Sequence, residues 1–148
     1  MDRRNFLKTM SIAVSAVAVS PVITGKTTHA GEDKFTKALM KITGGKKPKQ
    51  SDKVQLKAPT IAENGAVVPI KVSVNLPIEQ VKAVHVFAKD NPNPYLFSIY
   101  FTPQNGKAFI STRIKLAKTT TVHAVAELND GTFLETSKKV KVTIGGCG

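Results

Sequence analysis

The sequence is nearly empty of cysteine. It has one among 148 residues, Cys147. Small exported domains that depend on disulfides use cysteines in pairs, so no internal disulfide is available, and a Cys-x-x-Cys redox pair is excluded. Tryptophan is missing, and aromatic residues make up 6% of the chain. They do not interleave with the basic residues as a base-stacking platform requires, which argues against a nucleic-acid surface. Acidic residues are few, 10 against 22 Lys and Arg, and they are scattered, which argues against hydrolase chemistry. Ser73, Ser98 and Ser111 stand in no Gly-x-Ser-x-Gly setting, and no triad is evident. Beyond Ala30 only His85 and His123 remain as histidines. With a single thiol beside them, a closed metal site is hard to assemble. Both are read as strand-surface or hydrogen-bonded histidines, and no cofactor motif is found. No segment approaches the ~20 apolar residues of a membrane span.

What is present is concentrated at the two ends. The chain finishes Thr143-Ile144-Gly145-Gly146-Cys147-Gly148. Glycines on both sides of the cysteine bring no side chains to dock and the widest backbone freedom, and chain ends are poorly ordered unless tied down. The expectation is a thiol on a short mobile tether, Gly145, Gly146 and Gly148 forming a swinging arm. From Gly145 to Cys147 such a tether spans roughly 10 Å when extended. A lone cysteine in an oxidising compartment implies an intermolecular disulfide or a reactive thiol. Lipid attachment is excluded, because Cys147 is not fourth from the end.

The segment 1–30 reads as an export signal. Arg3 and Arg4 precede Asn5-Phe6-Leu7-Lys8, a modestly apolar stretch runs from Met10 to Ile23, and Thr28-His29-Ala30 supplies small residues before cleavage. A twin-arginine signal addresses a folded protein to its translocon. The expectation is a periplasmic protein that folds first, with a partner rather than a cofactor. Removal of residues 1–30 leaves 18 basic against 9 acidic residues, a net charge of +9. Such a surface steers anions or acidic protein partners.

Between the ends the period changes once. Phe35, Leu39 and Ile42, with Ala38, mark one apolar helix face over residues 32–43, which Gly44-Gly45 stops. The face must pack on the chain's own body or on another subunit. Lys46 to Asp52 is a polar linker. From Lys53 the period is two. Strands are expected from Val54, over 66–74, 81–87, 95–101, 108–116 and 121–128, and from Thr132 through Thr143, with a hairpin at Asn129-Asp130-Gly131. Pro69 demotes its strand to an edge or a bulge. Seven or so short strands make an all-β, immunoglobulin-like antiparallel β-sandwich. The divisions are a signal peptide at 1–30, helix and linker at 31–52, the sandwich at 53–144 and the arm at 145–148.

The leader, the short helix, the all-β body and the terminal Gly-Gly-Cys-Gly together resemble the SoxY family, sulfur-carrier subunits of the bacterial Sox thiosulfate-oxidation pathway. Body segments carry the resemblance as well: Ile61-Ala62-Glu63-Asn64-Gly65-Ala66-Val67-Val68-Pro69, Asn91-Pro92-Asn93-Pro94, Ser111-Thr112-Arg113-Ile114 and Leu116-Ala117. Family members often end in two glycines after the cysteine; this chain ends in one. The resemblance implies a non-enzymatic carrier that holds sulfur intermediates covalently on Cys147. It implies a SoxZ-like β-sandwich partner exported as a passenger. It also implies transient visits to a haem cytochrome that couples thiosulfate to the cysteine, to a hydrolase that releases sulfate, and to enzymes that act on the sulfane sulfur. A disulfide-linked dimer through Cys147 can coexist with that role. The competing expectation is an exported binding module that uses Cys147 only to dimerise.

The thiolate is the nucleophile in such conjugation, with an ordinary pKa of about 8.5. The nearby chain-terminal carboxylate disfavours it, and Lys138, Lys139 and Lys141 offset this only if the tail folds back. Small glycines are also expected to suit a narrow enzyme channel, so that Gly145→Val with Gly146→Val impairs turnover while leaving the fold intact.

Overall fold

A computed structural model describes residues 30–146. Helix α1 spans Ala30–Thr43, and nine strands follow: β1 (Lys49–Gln50), β2 (Val54–Lys57), β3 (Ile61–Asn64), β4 (Val68–Val74), β5 (Val81–Ala88), β6 (Tyr95–Tyr100), β7 (Ala108–Ile114), β8 (Thr120–Leu128) and β9 (Phe133–Ile144). Two sheets face each other. The larger has the order β1-β9-β8-β5-β6, with β3 also paired to β9, and the smaller has the order β2-β4-β7.

Alternation builds the core between them. Val68, Ile70, Val72 and Val74 of β4 point inward, and so do Val84 and Val86 of β5 and Val122, Ala124 and Ala126 of β8. Each such aliphatic burial contributes on the order of 1.5–3 kcal/mol. In β5 both faces are buried. The second face is covered by α1: Phe35 sits edge-on to Phe87, with ring centroids 5.9 Å apart, in a satellite cluster with Val125, Phe133, Leu39 and Ile42. The helix therefore packs on its own sandwich, which the sequence left open. Gly44 and Gly45 end it with φ of +62° and +86°, and the Gly45 N–H donates to the Met40 carbonyl at 3.1 Å.

The hairpin is where it was expected. Gly131 takes φ +82°, and the Asp130 carboxylate accepts from the Thr132 N–H at 2.8 Å. Three details differ. The strand pattern is not wholly antiparallel, because β1 and β3 both run parallel to β9. The polar linker, which could have been mobile or laid across a neighbour, lies along β9, where Lys49 and Gln50 pair with Leu134 and Glu135. Strand β4 is central rather than an edge. Its partner β2 covers only Lys71 to Val74, however, so Pro69 lies past the end of β2 and is bordered by β7 alone. The missing N–H is tolerated there because that stretch of a central strand has one open side. Among the described residues, no helix is long and apolar enough to cross a membrane.

Candidate functional site

Cys147 and Gly148 lie outside the described residues, as do Arg3 and Arg4 of the leader. What the structure does place is the root of the tail. Strand β9 runs unbroken to Ile144, and β3 pairs with it there, Ile61 opposite Lys141 and Asn64 opposite Ile144. After β3 the chain turns. The Asn64 side chain accepts from the Ala66 N–H at 2.9 Å and caps a single 3-10 turn over Gly65–Val67. The segment after β7 crosses beside this turn. The Leu116 N–H donates to the Gly65 carbonyl at 2.7 Å, and the Gly146 N–H donates to the Leu116 carbonyl at 2.9 Å.

Gly145 and Gly146 are therefore not the free tether that their composition suggests. A Cβ on Gly145 would land on the Ala117 carbonyl oxygen, and one on Gly146 would lie 2.7 Å from the backbone N and Cα of Ala66. The same holds from the other side. A Cβ on Gly65 would land on the Leu116 carbonyl oxygen and 2.8 Å from the Gly146 nitrogen. Three backbones approach closer than any side chain permits, and glycine is present for close approach rather than for freedom. The valine pair at 145 and 146 would thus collide with the protein's own body and displace the root of the tail, so its effect is not confined to an enzyme's channel.

Asn91 completes the arrangement. Its side chain is 2% exposed. The amide nitrogen donates to the Lys115 carbonyl and the amide oxygen accepts from the Ala117 N–H, both at 2.9 Å. The two bonds bracket Leu116, whose side chain is fully buried. Exposed Val67 and Ile144 flank the root. Pro69, Ser111, Thr112 and Arg113 line a surface depression of about 460 Å³ further along the same strands. Of the lysines upstream, Lys138 is turned to the body, where it donates to the Ala58 carbonyl at 2.6 Å.

The histidines lie on the helix-covered face of the large sheet. His85 is buried and sits in a string that sequence reasoning missed. Its Nδ1 is 2.5 Å from the Ser98 hydroxyl, its Nε2 is 3.0 Å from Glu127 Oε2, and Lys82 donates to Glu127 Oε1 at 2.8 Å. Tyr95 donates to Ser98 at 3.0 Å. One tautomer satisfies the string: Nε2–H donates to the carboxylate, and Nδ1 accepts from the serine. Burial lowers the His85 pKa, and Glu127 partly restores it. Burial alone would raise the Glu127 carboxyl, but the bonds from Lys82 and His85 hold it below the usual range. Register explains the omission, because Ser98 and His85 belong to different strands and meet only as cross-strand partners. The string ties β6, β5 and β8 together.

His123 differs. It stacks on Phe35 of α1 with centroids 4.5 Å apart, and neither ring nitrogen has a hydrogen-bond partner. Glu135 stands 3.8 Å from Nδ1, beyond bonding distance. Burial, with Lys89 adding to it, pushes the His123 pKa down to about 4. No group of three or more His, Cys, Asp or Glu side chains stands ready for a metal among the described residues.

Fold and site define a β-sandwich whose last strand is rooted in the body one residue before its single thiol. Comparison with known proteins places that class. The profile of the sulfur oxidation protein SoxY matches residues 39–147. The sulfur carrier protein SoxY from Chlorobium limicola f thiosulfatophilum superposes with a TM-score of 0.67 at 30% identity, covering 76% of this chain and 94% of that one. The chain belongs to the SoxY family. A superoxide reductase (neelaredoxin) variant from Ignicoccus hospitalis shares the fold at 18% identity, with a TM-score of 0.54 over 60% of this chain and 78% of that one. A putative superoxide reductase from Thermotoga maritima does so at 21% identity, with a TM-score of 0.51 over 64% and 93%. No curated protein matches the sequence.

Proposed function

We propose that this SoxY-family chain is a covalent sulfur carrier with no catalytic activity of its own, and that Cys147 is the attachment point. The observation that carries the reading is that the family match extends through residue 147, the one thiol of the chain, directly after a glycine seated in the body. The cysteine thiolate and thiosulfate join through a new S–S bond, and the two electrons released leave to a haem cytochrome. The product is a cysteine S-thiosulfonate. Water then cleaves its terminal sulfonate in a partner hydrolase, giving sulfate and a cysteine persulfide. The carrier presents the sulfur to each enzyme and performs neither step. Its partner is a SoxZ-like β-sandwich subunit, and its compartment is the periplasm, reached folded through the Arg3-Arg4 signal. The net positive charge of the exported chain favours encounters with anions and acidic protein faces.

Intact mass of the protein from cells oxidising thiosulfate, with and without a reductant, tests this. A reductant-labile thiosulfonate or polysulfane adduct on the peptide ending in Cys147, absent from Cys147→Ser, is the expected result. Free thiol and Cys147–Cys147 dimer alone, across several growth conditions, would replace the carrier with a dimerising binding module.

A further inference from the structure

We infer that Asn91 and Gly65 are positioning residues for sulfur attachment: through the Leu116 backbone they fix the point at which Cys147 leaves the body. The inference rests on the carrier reading above for what Cys147 does, and on the geometry alone for how it is placed.

The chain of contacts is short and entirely backbone-directed. Asn91 holds Lys115 and Ala117 with the two ends of one buried amide. Leu116, fixed between them, donates to Gly65 and accepts from Gly146. Gly65 can offer its carbonyl to this exchange only because it has no Cβ to strike the Leu116 oxygen. Gly146 closes the set, seated where a Cβ would lie 2.7 Å from the Ala66 backbone. Both amide atoms of Asn91 are spent on this one segment, so a change there alters the seat before it alters the sheets. The consequence for function is geometric. Cys147 is one peptide unit, ~3.8 Å between Cα atoms, past a fixed residue. An enzyme that receives the thiol therefore meets a tail whose preceding residue, Gly146, is held at a constant place beside the 65–66 turn and the 116–117 segment. A root that wanders spreads the thiol over many orientations, and fewer encounters are productive.

The test uses the full exported protein and two variants, Asn91→Ala and Gly145→Ala. The second approaches from the tail side, should the first fail to fold. Amide hydrogen exchange by NMR reads the seat, and enzymatic loading of Cys147 with thiosulfate by the purified cytochrome reads the positioning. In the wild type the Gly146 amide should exchange at least tenfold more slowly than a glycine amide in an unstructured peptide. In the variants that protection should fall tenfold or more, while the Val125 amide at the sheet centre stays protected. The kcat/KM for the carrier as substrate should fall at least tenfold, mostly through KM. A residue that is only structural would shift the unfolding midpoint and leave that KM alone. Free exchange at Gly146 in the wild type would overturn the seat. Variants that release Gly146 yet load within twofold of the wild type would overturn the positioning role. No adduct on wild-type Cys147, with Gly146 still protected, would instead overturn the carrier reading and leave the seat as a property of the fold.

Discussion

Acidification should loosen this protein through one side chain, His123. In the folded chain its pKa is about 4, against an ordinary value of 6.5. The groups that favour the neutral ring outweigh those that favour the charged one. Phe35 of α1 covers one face, burial removes water, Lys89 repels the imidazolium, and Asp90 only partly compensates. Glu135 of β9 stands 3.8 Å away without a hydrogen bond, and burial raises its own pKa, so it loses charge early on acidification. Because the folded pKa is depressed, the unfolded chain takes up the proton first. Stability is complete above pH 6.5 and drains as the pH falls toward 4. The fall from 6.5 to about 4 corresponds to about 3 kcal/mol, and about 2 kcal/mol of it is gone by pH 5. That is a large share of the roughly 5–15 kcal/mol of a small domain. Urea unfolding at pH 7.5 and pH 5.0, compared between wild type and His123→Phe, isolates the contribution, because carboxylates and His85 titrate in both. By the same linkage, the variant should lose about 2 kcal/mol less than the wild type between the two conditions. An equal loss in both proteins would refute the reasoning.

Three further outcomes follow from the same contacts. Phe35→Ala removes the ring that joins α1 to Phe87 and His123, and should cost about 3 kcal/mol in urea unfolding; with its cover gone, His123 should titrate closer to 6.5 by NMR. Glu127→Ala strands the buried Nε2–H of His85 and should cost about 2 kcal/mol, whereas Lys82→Ala, which removes an exposed partner of the same carboxylate, should leave the midpoint near wild type. Asn64→Ala removes the cap on the Gly65–Val67 turn and should cost about 1 kcal/mol, with increased exchange of the Ala66 amide as the local readout.

Much of the architecture was legible because it rests on local signals. The helical spacing of Phe35, Leu39 and Ile42 and the alternation of β4 and β8 name the buried faces directly, and Asp130-Gly131 names the hairpin. What was not legible depends on pairing at a distance. Residues Ile61–Asn64 carry no strong alternation, and they become a strand because β9 offers them an open side. Lys49-Gln50 is polar and short, and it is fixed by Leu134 and Glu135. Pro69 was a sound signal read too broadly. It marks one unpaired side at one position, and β4 is central over its remaining length.

The site divides along the same line. Cys147, the proposed attachment point, is named by the sequence alone, as a lone thiol between glycines. The role of the glycines before it is not, because glycine answers two opposite physical demands. It releases a chain that must move, and it permits a contact that no side chain can survive. Nothing local to Gly145-Gly146 distinguishes these. The distinction is made by Ala66 and Ala117, which stand far from the tail in the chain and whose backbones occupy the space that Cβ atoms at 145 and 146 would need. The body segments that carry the family resemblance, which singly are weak signals, gain a common physical account at this point. Gly65, Asn91, Leu116 and Ala117 come from three of them and meet around the root of the tail. Three segments scattered along the chain are, in space, one seat around Gly146.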